Sequence, residues 1–385
     1  ESFRMSVAAI AAAAGGLAAQ VTDMPAGNVM GAAPDAALAR VLSDLLLLVT
    51  AAGGTMAIGY ASSGSFPPAG RAAVSGLYAR IVFPAMVFRG VAAIRPEKLD
   101  MSVVLVVLLG KLAVAGVCIV YSMLRLDRQE GSSKLAHAAA LAMAASHSFD
   151  VTLGVPIAKV LYPDAVAYIY LNQSVQLVLV NPLLLMLIEA ASGKGGAVVR
   201  RTIVGVATNP LVVMTALGLL AGQVFPAGLP ASLGAVSKQV ADAGPFLGYT
   251  SLGFAMANLG GTSANELRHA AVLGAMKLLI MPALYLALAR YFGCSAGDDF
   301  LLFLGSLPAS ASVYALSASR GLSPQIVGPL VPCSIVLCVA LVLLPLSPMA
   351  TSFRAAEALR AAIGAVAVAA ALTVCRTNPK KHARD

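Results

Sequence analysis

Apolar residues run along this chain in long blocks, separated by short stretches that hold most of the charged side chains. A bilayer span takes about 20 consecutive apolar residues, and the blocks meet that length. They predict helix 1 at 42–61, helix 2 at 71–93, helix 3 at 101–123, helix 4 at 136–160 and helix 5 at 164–190. After a basic stretch come helix 6 at 202–225, helix 7 at 231–258, helix 8 at 269–291, helix 9 at 299–319 and helix 10 at 323–347. An Ala-rich block at 356–375 is a weaker candidate for an eleventh span. The small, apolar stretch 5–21 fits a signal-peptide remnant, an interfacial helix or a weak extra span.

The pattern repeats. Helix 3 carries LLGKLAVAGV and helix 8 carries LGAMKLLIMP, each with one lysine, Lys111 and Lys277, inside an apolar run. Helix 4 (ASHSFDVTLGVPIAKVLYP) and helix 9 (GSLPASASVYALSASRGLSP) are both interrupted near the middle by Pro, Gly or Ser. Each is followed by a long apolar helix. Five spans are an odd number, so two five-helix repeats would lie in opposite orientations, and inverted repeats with interrupted helices are a transporter pattern. The predicted fold class is an all-α transmembrane ten-helix bundle of two inverted five-helix repeats, with broken crossing helices 4 and 9. The predicted organisation is an N-terminal segment (1–40), a first repeat (41–192), a basic cytoplasmic loop (193–201), a second repeat (202–350), and an extra apolar helix with a basic tail (351–385).

Composition closes off other classes. Of 385 residues, 59% are apolar and 11% charged, against about 25% charged in an average soluble domain. Soluble-enzyme, fibrous and disordered readings are excluded. The net charge of +9 does not mark a nucleic-acid binder, because the basic residues sit in short loops and never in a run of five. Loops after odd-numbered helices hold nine Lys or Arg, and those after even-numbered helices hold four. The positive-inside rule therefore predicts that the odd loops are cytoplasmic. Five scattered cysteines, none in CxxC spacing, give neither a disulfide framework nor a zinc site. No phosphate-binding loop, Gly-rich dinucleotide turn, HExxH or GxSxG is present. The expectation is a protein that is not an enzyme and has no cofactor or metal.

Polar residues inside spans carry the chemistry. A charge at a helix centre in the hydrocarbon costs at least about 2.5–3.5 kcal/mol and needs a partner or water. Asp150 sits in mid-helix 4 beside Ser146, His147, Ser148 and Thr152, which points either to a wet cavity or to a buried carboxylate holding the break open. His147 is either a proton-sensitive neighbour or a satisfied buried histidine. Lys111 and Lys277 lie deep in their helices, placed to pair with Asp150, to take carbonyls freed at a break, or to snorkel. Pro308 has no N–H and clashes with the preceding turn, so it breaks helix 9. Ser306, Ser310 and Ser312 are there to re-satisfy freed backbone groups. A half-helix starting at Ala309–Ser310 would present N–H groups to an anion. Asn172 and Gln176 share one face of helix 5, as interhelical polar contacts or as ligand contacts.

Several runs resemble the auxin efflux carrier (PIN-type) family. They are LYARIVFPAMVFRGVA (77–92), GVPIAKVLYP (154–163), ADAGPFLGYTSLGFAMA (241–257), MKLLIMPAL (276–284) and SLPASASVYALSASRGLSP (306–324). The likeness spans 42–347. HSFDVTLGVP and AYIYLNQSVQLVLVNP are more similar to the transporter-like domain of the animal lysosomal cholesterol-signalling protein. The resemblance implies a scaffold and a mobile transport domain, a binding site where helices 4 and 9 cross, elevator-type movement without ATP, and a homodimer. The family's helix 9 Leu-Pro falls on Leu307–Pro308, and its helix 3 lysine on Lys111. A helix 5 substrate-site Gln falls on Gln176. The family's helix 4 Pro-Asn falls on Ser148–Phe149, so both residues are absent here, and Asp150 matches the Asp of the sterol-signalling relative. The acid that precedes the helix 3 lysine in plant carriers falls on Val107, so that pair is missing.

The expected function is secondary transport of a small organic anion or amphipathic solute, at the plasma membrane or an endolysosomal membrane. Expected substrate contacts are Ser148, Phe149, Asp150, Gln176, Pro308, Ala309 and Ser310. Lys111, Lys277 and His147 are expected in structural or coupling roles. The expected partners are a small-molecule or lipid-like substrate and membrane lipids. The rival reading is a sterol or lipid sensor on the same scaffold, for which a further signalling domain after helix 10 is expected. A sodium-coupled bile-acid-type symporter shares the architecture, but the sequence holds no clear cluster of Na⁺ ligands.

Overall fold

The computed structural model describes residues 34–94, 99–126, 133–191, 200, 204–205, 207–257 and 263–343. Most of the segment 1–40, the basic loop 193–201 apart from Arg200, and the candidate span 356–375 lie outside the described residues. Among the described residues the chain is all-helical, apart from one isolated antiparallel bridge between Ser148 and Ala309.

In chain order the helices are α1 (Pro34–Ser62), α2 (Pro68–Ala92), α3 (Ser102–Arg125), α4 (Lys134–Ser146), α5 (Val155–Leu161) and α6 (Pro163–Ala191). They continue as α7 (Pro210–Val224), α8 (Ala231–Asp242), α9 (Gly244–Met256), α10 (Ala264–Phe292), α11 (Asp298–Gly305), α12 (Ala311–Arg320) and α13 (Pro324–Leu343). Helices α2, α3, α6 and α10 are each long and apolar enough to cross a membrane. Their outer faces stay apolar and exposed, as at Val117, Val120 and Leu124 of α3. In water such faces would be a liability; they suit a lipid-facing wall, and the molecule is a membrane protein.

Prolines shape four of these segments in one way. A proline cannot donate an N–H, and its ring clashes with the carbonyl four residues back. Before Pro84, Pro156, Pro182 and Pro282 the backbone widens into π turns at Tyr78–Val82, Asp150–Gly154, Gln176–Val180 and Met276–Ile280. In each, the residue just before the proline donates five residues back: Phe83 to Tyr78, Val155 to Asp150, Asn181 to Gln176, and Met281 to Met276. The sequence alone makes Pro84 and Pro156 plain kinks. The widened turns differ from kinks because they shift the facing of the side chains they contain.

Packing divides between close glycine contacts and an alanine-rich centre. Helix α1 lies against α9 through Gly59 and Gly253, and α7 lies against α2 through Gly218 and Gly222. A Cβ at any of these four would run into the partner's backbone. Helix α4 is buried on all sides from Ala136 to Ser146 and packs chiefly on α3 and α6. Its alanines let three helices approach closely, the usual device where lipid offers no hydrophobic drive between helices. Helices α3 and α10 also pack together, with the Tyr285 ring seated on Gly110.

Candidate functional site

Two helices stop in the middle of the molecule and cross. Helix α4 ends at Ser146, and the chain runs extended through His147 and Ser148 before the π turn that opens α5. Helix α11 ends at Gly305; Ser306–Ser310 is non-helical, and α12 starts at Ala311. The two breaks pair with each other: Phe149 N donates to Pro308 O at 2.8 Å, and Ser310 N donates to His147 O at 3.3 Å. Ala309 N donates to Ser334 Oγ of α13 at 3.0 Å. Backbone groups that the breaks would leave unpaired are thus satisfied inside the protein, as they must be at membrane depth.

Both lysines converge on this crossing and are fully buried, at 0% exposure. Lys111 Nζ donates to Ser146 O (3.0 Å), Ser148 Oγ (3.1 Å) and Gln176 Oε1 (2.9 Å). Lys277 Nζ donates to Ser148 Oγ at 2.5 Å and lies 3.2 Å from Met281 Sδ. Neither snorkels. Ser146 O is a carbonyl at the end of α4, so Lys111 caps the broken helix with positive charge at its negative end. Gln176 Oε1 also accepts from Ser148 N at 2.7 Å, which fastens the first break to α6.

Asp150 forms no ion pair with either lysine; the three charges act on one another from further away. The carboxylate is 1% exposed. Its Oδ1 accepts from Asn172 Nδ2 at 2.7 Å, while Oδ2 has no hydrogen-bond partner. His147 Nδ1 lies 3.2 Å from Ser146 Oγ, and Nε2, beside Asn181, has no hydrogen-bond partner. Asn172 and Gln176, one helical turn apart, both face the crossing and hold its backbone and carboxylate.

A cavity of about 860 Å³ opens from the crossing. It runs between α2 and α9 on one side and α6 and α12 on the other, out to Arg71 near the start of α2 and Asn209 at the start of α7. His147, Ser148, Phe149, Asp150, Gln176 and Ser310 line it. Pro308 and Ala309 do not; they make the crossing itself. Lys111 and Lys277 lie behind the wall and brace it. The walls are largely apolar, with Phe83, Leu177, Leu252 and Phe254 among them. The first turns of both second half-helices, at Asp150–Thr152 and Ser310–Val313, face the same space. Helix N-termini are positive ends.

Sequence reasoning missed two lining groups, Tyr78 and Arg80, and a third group behind them, Tyr249. Tyr78 shares a 2.5 Å hydrogen bond with Thr152 Oγ1, and Tyr249 OH donates to Thr152 O at 2.9 Å. Tyr249 also stands edge-on to Phe149, and Tyr78 lines the cavity directly. Arg80 borders the cavity, is exposed, and makes no hydrogen bond or ion pair with another described residue. It lies about 18 Å along α2 from Pro68, at about 1.5 Å per residue. A charge that deep in an apolar run was the available signal. Among the described residues no three His, Cys, Asp or Glu side chains cluster as a metal site. No protein-family model matches the chain, and no curated protein is significantly similar to it.

Proposed function

We propose that this protein is a PIN-type secondary carrier for a small organic anion or amphipathic solute. The observation that carries the reading is the crossing: two broken helices whose second halves both begin at one largely apolar cavity with buried charge at its base. Arg80 and the two helix N-termini make the cavity attractive to an anion. The apolar walls accept a hydrocarbon or aromatic body. Ser148, Phe149, Asp150, Gln176 and Ser310 contact the solute, Pro308 and Ala309 hold the crossing open, and Lys111 and Lys277 brace it.

Two inverted five-helix repeats account for the pairing of helices. The contact of α1 with α9 has its counterpart in α7 with α2. That of α3 with α4 has its counterpart in α10 with α11, and α5 with α6 in α12 with α13. The glycine-packed set of α1, α2, α7, α8 and α9 suits a scaffold, against which the crossing helices move as an elevator. The excess of basic residues in the odd loops favours a cytoplasmic mouth for the cavity. A sterol or lipid sensor on the same scaffold remains a second reading, favoured by the apolar walls. Neither reading involves nucleic acid or enzymatic chemistry.

The test is ligand-induced thermal stabilisation of the purified protein against indole and other aromatic carboxylates, metabolite acids, bile acids and sterols. The carrier reading expects a carboxylate to raise the melting temperature, with the rise reduced at least tenfold in apparent affinity by Arg80→Gln. A response to sterols alone would overturn it in favour of the sensor.

A further inference from the structure

Two acceptor atoms at the crossing stand out because they belong to groups already bonded to each other. Asn172 Nδ2 donates to Asp150 Oδ1 at 2.7 Å. The other oxygen of each group, Asp150 Oδ2 and Asn172 Oδ1, is buried and has no hydrogen-bond partner. A buried acceptor left unpaired costs about 1–3 kcal/mol, and native proteins rarely leave two on one pair of side chains. Carboxyl and carboxamide are both flat and two-pronged. One proton on Oδ2 turns that oxygen into a donor and gives Asn172 Oδ1 its missing partner, closing a ring of two hydrogen bonds.

We propose that Asp150 and Asn172 form a proton-binding site on the wall of the cavity. The proton comes from cavity water, since Asp150 lines that space. It adds to the carboxylate to give the carboxylic acid, and no other bond changes. Around Asp150 stand Lys111 from α3, His147 from the same break, and Lys277 and Tyr285 from α10. Tyr249 of α9 and Tyr78 of α2 reach the π turn through Thr152. Helix α6 contributes no ionisable group there, only Asn172 and Gln176. Tyr285 OH, which interacts electrostatically with Asp150, is likewise without a hydrogen-bond partner among the described residues.

The charge balance gives the site a consequence, which rests on the carrier reading. Two buried ammonium groups are offset by one carboxylate. Protonation removes that negative charge and leaves the base of the cavity more positive, so a bound anion and a bound proton favour each other. The proton is then the coupling ion of the carrier.

Infrared difference spectroscopy of the full chain in lipid vesicles tests the site without any solute. On passing from alkaline to mildly acidic buffer, the C=O stretch of a buried carboxylic acid is expected to appear. It should be lost in Asp150→Asn and shift to higher frequency in Asn172→Leu, where the hydrogen bond is gone. No titrating band in the wild type, or the same band surviving in Asp150→Asn, overturns the proposal. A band indifferent to Asn172→Leu overturns the paired site. Since no solute is present, failure here leaves the carrier reading standing, and failure of the carrier reading leaves the proton site standing.

Discussion

Ser148 is a small side chain with two ammonium groups on one oxygen. Lys111 and Lys277, from different helices, both donate to its Oγ. A lysine at membrane depth is tolerated only where donors find acceptors, and Lys277 has just Ser148 and the weak Met281 sulfur. Ser148→Ala therefore costs Lys277 the one oxygen partner it has among the described residues. The expected loss is about 1.5–3 kcal/mol, the range for a hydrogen bond to a charged group. Thermal unfolding in detergent checks this, with Ser312→Ala as the control, because among the described residues the Ser312 hydroxyl bonds only Ser310. Equal melting temperatures for the two variants would show that the lysines do not depend on Ser148.

At the scale of elements, the proline-driven π turns place most of the cavity's chemistry. Tyr78, Arg80, Asp150, Thr152, Gln176 and Lys277 all lie in one of the four. A π turn adds a residue to the helix, which rotates what precedes it by about 100° relative to an uninterrupted α-helix. Proline inside a helix costs about 3 kcal/mol, so Pro182→Ala would ordinarily stabilise α6. Here the opposite is expected. Closing the turn rotates Gln176 away from Ser148 N and Lys111 Nζ, and the melting temperature falls. Circular dichroism that keeps its helical signal while unfolding moves down checks this; a rise in stability would mean the turn merely accommodates the proline.

Much of this was legible in the sequence. The breaks in helices 4 and 9 were visible because Pro308 and the Ser-His-Ser-Phe-Asp run interrupt otherwise apolar blocks. The matched lysines were visible because a charge in hydrocarbon has few explanations. The pairing was not visible: Asp150 was the natural partner for a lysine, yet Lys111 takes backbone, amide and hydroxyl oxygens, Lys277 takes the Ser148 hydroxyl, and the carboxylate is left to Asn172. The π turns were not legible because a proline in an apolar block, such as Pro84 or Pro156, reads as a kink, although each of the four prolines follows a polar residue by four to six positions. Tyr78 and Tyr249 were missed because aromatic residues in spans are common and carry no spacing signal.

For the whole molecule, a contact outside the spans ties the start of α3 to the turn after α10. Asp100, just before α3, accepts from Ser102 N at 2.8 Å, and from Ser295 N and Oγ at 2.7 and 2.8 Å in the turn after α10. The hydrogen bonds from Ser102 and then Ser295 hold its carboxyl well below the usual carboxylate range. A depressed folded value means the contribution is full above the unfolded value of about 3.9. It is lost as pH falls through the folded value. Asp100→Asn is expected to lower stability by about 1 kcal/mol at neutral pH, and the gap to wild type should close in strong acid. Unfolding measured across that range checks the sign; a gap that widens in acid would contradict it.

The account's central claim is that the cavity at the crossing serves movement of a solute across the membrane. The most direct measurement is uptake of a labelled indole carboxylate, and separately of a labelled bile acid, into vesicles containing the purified protein and no ATP. The prediction is saturable uptake of at least one, accelerated by unlabelled solute on the far side and reduced at least tenfold by Arg80→Gln. Saturable binding to the crossing with no uptake above empty vesicles would contradict the claim and leave a sensor on a carrier's scaffold.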